Sequence, residues 1–324
     1  MKRGYWYILA ATLLFSTMEI TFKLVSDQYN PMQLLFLRTL IGGLVLLPFA
    51  LRHLKSQKIK LSKQDIKSFV LTGCVLLTIS MTLYQLSVYY AKASIVAALF
   101  CCNPVFTVPL AYFILKEKIN KPIICALVIS VMGVVLIMNP FGLTSADSSF
   151  AGIIMALLSS VMFAMYSVVG KIKTIQYGGF VFTCFNFLAG VVVMFIMILV
   201  SHIGGIATAL NAAGLSVFAN IPIFSGLTWQ GLPMLLYISI GLTGFGYVLF
   251  IVALKETSAA AVSLLFFIKP ALAPVLALLI LGELIARHTL AGIVMIVIGS
   301  GVMVWANRLQ DKAEAVTEKG KAVM

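Results

Sequence analysis

Hydrophobic positions along this chain fall in continuous apolar runs of about 20 residues, broken by short polar stretches, a length that crosses a bilayer. The runs number ten: roughly 5–25, 32–51, 68–90, 94–115, 122–139, 150–170, 177–200, 231–254, 258–281 and 288–307. They do not alternate polar with apolar, as barrel strands do, and continuous apolar runs satisfy their backbone only as helices. The expected fold class is therefore an all-α polytopic membrane protein with ten transmembrane helices. Composition agrees: 61% of the residues are hydrophobic and only 10% charged, against about 25% charged in an ordinary globular chain. Lys2 and Arg3 give the start of a signal peptide, but the run behind them is too long and lacks a small-residue cleavage pattern. Span 1 is expected to be retained.

The net charge of +13 changes the picture through its distribution. With a cytoplasmic N-terminus, 18 of the 23 Lys and Arg fall on the cytoplasmic side, including RHLKSQKIKLSKQDIK at 52–67, Lys171, Lys173 and the C-terminal tail. Lys92 and Arg287 fall outside. This positive-inside pattern orients the chain in the cell (plasma) membrane with both termini cytoplasmic, and it makes anionic membrane lipid the partner of the basic loops. No nucleic-acid partner is needed to explain them. Cys74, Cys101, Cys102, Cys125 and Cys184 all lie inside spans without a ligand-spaced histidine. They read as small hydrophobes, and neither a metal nor another cofactor is expected.

The chain also repeats itself. A shift of 166 residues lays NPVFTVPLAYFILKEKI, from 103, over KPALAPVLALLILGELI, from 269. Pro104 then meets Pro270, Glu117 meets Glu283 and Gly133 meets Gly299. A shift of 148 matches Lys23 with Lys171, Gln28 with Gln176, Tyr29 with Tyr177 and Gly42 with Gly190. The difference places an insertion in the loop 201–230. Residues 1–148 and 149–308 are thus two copies of a five-helix unit, followed by a tail at 309–324. Five spans is an odd number, so the second copy is inverted relative to the first, an arrangement of many secondary transporters.

In this layout the chain resembles the drug/metabolite transporter superfamily, specifically its EamA-type members, from about residue 5 to 307. The carriers are the first span ending in Lys23, Arg38 within LLFLRTLIGG, the proline of span 4, and PALAPVLALLILGELI…AGIVMIVIGSG in spans 9 and 10. The resemblance implies a transporter of small metabolites, with exporters of amino acids among the members. One feature departs from it. Many relatives read like W-G-S-x-x-x-x-x-K in span 1, whereas FSTMEITFK at 15–23 places Glu19 where an apolar or aromatic residue is frequent.

Four charges lie well inside spans: Glu19, Lys23, Arg38 and Lys269. Each costs roughly 2.5–3.5 kcal/mol at mid-helix unless it finds a partner, a wet cavity or the interface. Glu19 and Arg38 are equidistant from the turn of the first hairpin, so a Glu19–Arg38 pair is expected, either locking the hairpin or facing a transport cavity. Lys23 can bond Glu19 one turn away or snorkel outward. Lys269 is too deep to snorkel, precedes Pro270, and has Asn103 as its repeat counterpart; Ser167 and Asn186 are the counterparts of Glu19 and Arg38. Tyr84, Gln85, Tyr166 and Trp229 are further candidates. The expected substrate-binding set is Glu19, Lys23, Arg38, Tyr84, Asn103, Tyr166, Asn186 and Lys269. Their net positive charge favours a small-molecule substrate with a negative group, an amino acid or organic anion, and Glu19 could carry a coupling proton.

Enzymatic chemistry finds no foothold: there is no HExxH, no G-x-S-G, no Walker motif, and one acidic residue within the spans. A secondary transporter, more often an exporter, is the expected function; a channel-like facilitator or a non-transporting membrane sensor is the alternative. No motif sets an oligomeric state. The orientation is directly testable. A cysteine introduced at Ser148 should react with an impermeant thiol reagent in intact cells and one at Ser56 should not; the reverse pattern would overturn both the orientation and the inverted-repeat expectation.

Overall fold

The computed structural model describes residues 3–116, 119, 121–138, 150–256, 269, 272–299, 301–302 and 305. The junction at 139–149, Glu117, Pro270 and the tail at 309–324, all named above, lie outside the described residues. Within them the chain is helical. Seven helices are long and apolar enough to cross a membrane: α1 Trp6–Leu24, α2 Pro31–Ser56, α3 Lys63–Tyr90 and α4 Ala93–Leu115, then α6 Phe150–Tyr177, α7 Gly179–Ser201 and α8 Leu232–Ala253. Three shorter apolar helices complete the set, α5 Lys121–Ile137, α9 Leu272–Leu281 and α10 Arg287–Gly299. The ten apolar runs thus each contain helix, though most of 258–281 falls outside the described residues.

Several ends run past the apolar runs, for local reasons. Asn30 caps α2 by accepting from the Met32 amide at 2.8 Å, with Pro31 at the first helical position. Ser62 and Asp65 form a reciprocal capping box, so α3 starts in a polar turn before its apolar run. The same Asp65 carboxylate accepts from the Tyr177 hydroxyl at the end of α6. At that end of the bundle Gly178 joins α6 to α7 with φ +83°, and a Cβ there would lie 2.6 Å from His53 Nε2. At the other end, the segment between α7 and α8 folds onto the α1–α2 turn. Asn30 donates to Val217 O at 2.9 Å, and Gln33 donates to Ile223 O at 3.1 Å and Ser225 O at 2.7 Å.

Two long helices carry a π-helical stretch, Thr72–Thr78 in α3 and Tyr237–Gly246 in α8. The 166-residue shift superimposes the first on the second. In each, a threonine hydroxyl donates five residues back: Thr78 to Gly73 O at 2.7 Å and Thr243 to Ile238 O at 2.8 Å. These extra turns bring backbone against backbone. A Cβ on Gly42 of α2 would sit 2.9 Å from Ser239 O of α8, and Gly190 of α7 abuts Thr78 and Gly73 of α3. The two shifts carry one contact onto the other. Likewise Gly133 Cβ would meet Gly292 O at 2.7 Å, while Gly299 Cβ would meet Ala126 O at 2.9 Å, again a matched pair. Small residues at such crossings let helices approach without side chains between them, which is how helices associate in lipid.

The close approach makes a prediction with an internal control. A Cβ on Gly73 would lie 2.5 Å from Asn186 O and 2.9 Å from its Cα, both backbone atoms, whereas Gly204 has nothing within 4 Å. Gly73→Ala should lower stability by about 1–3 kcal/mol, seen as a lower melting temperature of the purified protein, and Gly204→Ala should leave it within error. Equal melting temperatures for the two variants would refute the packing.

Candidate functional site

α1 is interrupted at Thr17, between Arg3–Ser16 and Met18–Leu24. The cause is a run of hydroxyls that bond back to the helix: Thr12 to Ile8 O at 2.7 Å, Ser16 to Thr12 O at 2.7 Å and Thr17 to Leu14 O at 2.8 Å. Such back-bonding bends helices. The Thr17 and Tyr237 hydroxyls share a further bond at 2.8 Å that ties the break to α8. α4 breaks similarly at Cys101–Cys102, and Asn103 and Pro104 open its second half. The second break is buried and the first half-buried at Thr17, and Glu19 follows the first by two residues.

Glu19 is fully buried and pairs with Lys269, Nζ to Oε1 at 2.6 Å, with the two side chains 0% and 3% exposed. This corrects the expected Glu19–Arg38 bridge. Equal depth on a hairpin says nothing about direction around each helix, and Arg38 points elsewhere. Its guanidinium lies 4.7 Å from the centre of the Phe22 ring. Nη1 donates to Thr243 Oγ1 at 3.3 Å and Nη2 approaches Met81 Sδ at 3.6 Å, while Nε has no partner. Among the described residues no carboxylate is within ion-pair distance of Arg38. The Lys269 ammonium sits 5.4 Å from the Phe100 ring and 6.0 Å from Tyr84. Tyr84 is buried beside the pair, its hydroxyl without a hydrogen-bond partner among the described residues. Tyr247 closes the cluster, donating to Met81 Sδ at 2.8 Å.

The other expected residues separate. Lys23 does not bond Glu19; its ammonium caps the end of α3 on the carbonyls of Val88, Tyr89 and Ala91 at 3.3–3.4 Å. It is an anchor away from the cluster, because three orphan carbonyls of a helix end outbid a carboxylate already paired with Lys269. Asn186, counterpart of Arg38, accepts from Thr72 at 2.5 Å and donates to Phe182 O at 2.6 Å. Asn103, counterpart of Lys269, donates to Ser160 O at 2.9 Å and accepts from Thr107 at 2.8 Å. Tyr166 is buried against Phe182, ring centres 5.2 Å apart. Gln85 is buried with Oε1 unpartnered, and Trp229 is 89% exposed. The charged positions, two from the first repeat and one from the second, therefore gather in one cluster, and their counterparts Asn186 and Asn103 are satisfied by ordinary hydrogen bonds.

Phe22, Met81, Phe100, Thr243 and Tyr247 complete the cluster without having been singled out from the sequence. One signal was available for two of them: the 166-residue shift places Tyr247 on Met81, one turn from Tyr84.

A multi-pass helical membrane protein whose few buried charges converge from α1, α2 and the segment at Lys269 is the class that fold and site define. Within that class, the chain belongs to the EamA-like transporter family, whose model matches residues 2–139 and 150–305. A Clostridium kluyveri protein described as an uncharacterized transporter is 38% identical over 99% of both chains. The uncharacterized transporter YoaV of Bacillus subtilis is 20% identical over 90% of this chain and 93% of its own. One crystal structure superposes with a TM-score of 0.64 over 94% of this chain and 98% of its own, at 17% identity, and shares the fold.

The pairing sets stability. Glu19→Gln strands the Lys269 ammonium in an apolar core and should cost about 3–5 kcal/mol. Adding Lys269→Met should recover most of that loss, whereas adding Arg38→Gln should not. Recovery by Arg38→Gln instead, in thermal melts of the purified variants, would restore the hairpin bridge and refute the pair seen here.

Proposed function

We propose that this protein is a secondary transporter in the cell membrane that moves small polar metabolites, amino acids or organic anions, by alternating access, in the export direction. The observation that carries the reading is the enclosed Glu19–Lys269 pair with Arg38 beside it, three charges held where lipid surrounds the bundle. Such residues are expensive and mark substrate or ion pathways. Substrate is taken at this cluster from one side and released to the other.

The matched contacts support two inverted five-helix halves, residues 1–148 and 149–308. α3 packs along α6 and α8 along α1, and α2 crosses α8 as α7 crosses α3. Each of these joins one half to the other, so rocking of the halves exposes the cluster alternately. Glu283, between α9 and α10, forms a tie across the halves. It accepts from the Ala93 and Ser94 amides at 3.0 and 3.1 Å and from the Ser94 hydroxyl at 2.9 Å. With cytoplasmic termini this tie lies on the outer face and must release when that face opens.

Glu19 is the residue that would take a coupling proton. Its protonation would free Lys269 and allow the contact between α1 and Lys269 to part. In proteoliposomes screened with amino acids and organic acids, a pH gradient should drive concentrative flux in wild type. Glu19→Gln should abolish the pH-driven part, and the double variant Glu19→Gln/Lys269→Met should retain only downhill exchange. Wild-type pH-driven flux by Glu19→Gln would remove the proton role, and absence of flux for every compound would remove the transporter reading.

A further inference from the structure

Counting charge in the enclosed cluster gives an unequal sum. Glu19 and Lys269 cancel at 2.6 Å, and Lys23 is occupied at the end of α3. Arg38 remains, 0% exposed and with no carboxylate in reach among the described residues. Its surroundings use little of its capacity. A guanidinium offers five N–H donors; here one oxygen, Thr243 Oγ1, and one sulfur, Met81 Sδ, accept from it. Nε has none. The Thr243 hydrogen is committed to Ile238 O, so its oxygen is fixed as an acceptor and holds the fork in place. The Phe22 face stabilises the cation without neutralising it.

A buried cation whose counter-charge is missing is a costly arrangement for a structural residue. Its repeat counterpart shows that the position does not need one: Asn186 fills it with a neutral side chain whose bonds are satisfied.

We propose that Arg38 binds the carboxylate of a substrate carrying one net negative charge, a monocarboxylate, while the Glu19–Lys269 pair stays closed beside it. This rests on the transporter reading and names its substrate class. A planar carboxylate matches the guanidinium fork and brings the cluster to neutrality. A phosphate monoester, with a charge near −2, would overshoot it. A zwitterion would bring an ammonium whose natural partner, Glu19, is already held by Lys269. The rings of Phe22, Tyr84 and Phe100, in sequence 6.2 and 4.7 Å apart, form an apolar wall for the remainder of the substrate. Thr243 and Tyr247 act as positioning residues, the first on Nη1 and the second through Met81.

The test uses one skeleton with three charges. Phenylacetate, phenylalanine and phenethylamine, each at millimolar concentration, are compared by thermal shift on the purified full chain, and phenylacetate affinity is then measured. Phenylacetate should stabilise wild type and the other two should not. Arg38→Gln should abolish the shift. Arg38→Lys, which keeps the charge and loses the fork, should weaken phenylacetate at least about tenfold, and it stands in should Arg38→Gln fail to fold. Stabilisation by phenylalanine or phenethylamine equal to that by phenylacetate, unchanged affinity in Arg38→Lys, or no shift with phenylacetate, acetate or lactate would each overturn the proposal. Flux of zwitterions alone would sink the monocarboxylate class and leave the transporter standing. Binding of phenylacetate through Arg38 without flux of any compound would do the reverse.

Discussion

The arrangement of the bundle hangs on one acid among two bases in a medium that tolerates none of them alone. Glu19 has to choose between Lys269 and Arg38, and the choice joins residues 250 positions apart in the chain. A contact of that kind cannot form until α1 and the segment around Lys269 are side by side. Once formed, neither residue can leave without exposing a bare charge to a low-dielectric interior, where the cost is several kcal/mol. The aromatic walls follow from the same constraint. Phe22, Tyr84 and Phe100 present ring faces to the two cations, the only attractive surface an apolar core has for a positive charge.

Packing supplies the rest of the specificity through backbone rather than side chains. Lipid removes most of the hydrophobic drive for helix association, so shape and close approach have to hold the helices together. The glycine crossings at Gly42, Gly73, Gly133, Gly190, Gly292 and Gly299 do this. The π-helical stretches of α3 and α8 set the register of two of these crossings, and they also present Thr72 to Asn186 and Thr243 to Arg38. One device thus serves both packing and the polar cluster. That coincidence fits the frequent placement of π turns at functional sites.

Much of this was legible in the sequence. Apolar run length located the helices because lipid leaves a backbone little choice, and charge located the cluster because Glu19, Arg38 and Lys269 are so few. What failed was direction. The hairpin argument placed Glu19 and Arg38 at one depth, but depth is one coordinate and the angle around each helix is another. Lys23 shows the same gap, since helix-end carbonyls that attract a lysine carry no sequence signature. Thr243 carried no sequence signal, and Tyr247 and Met81 only their match under the repeat shift, for a different reason. A hydroxyl or thioether inside an apolar run satisfies itself on a nearby backbone carbonyl as readily as on a site. The π turns have no proline or other marker, so only the repeat shift could have connected them.

If the bundle opens alternately, as proposed, the placement of charge at one set of positions and not at their counterparts has an energetic consequence. At the neutral counterpart of Lys269, parting α4 from α6 would break the Asn103–Ser160 hydrogen bond, which water replaces at little net cost. On the charged side, parting α1 from the Lys269 segment separates ions, and that is tolerable only when water or a proton reaches Glu19 first. The two openings of the proposed cycle would therefore not have equal barriers, although the helix contacts match. An anion at Arg38 removes the excess positive charge next to the pair and lowers the field against which Lys269 would have to move. Occupied and empty forms would then cross the charged side at different rates. In that cycle an architecture of matched helix contacts would acquire a preferred state through three side chains, without any change in how its helices are laid together.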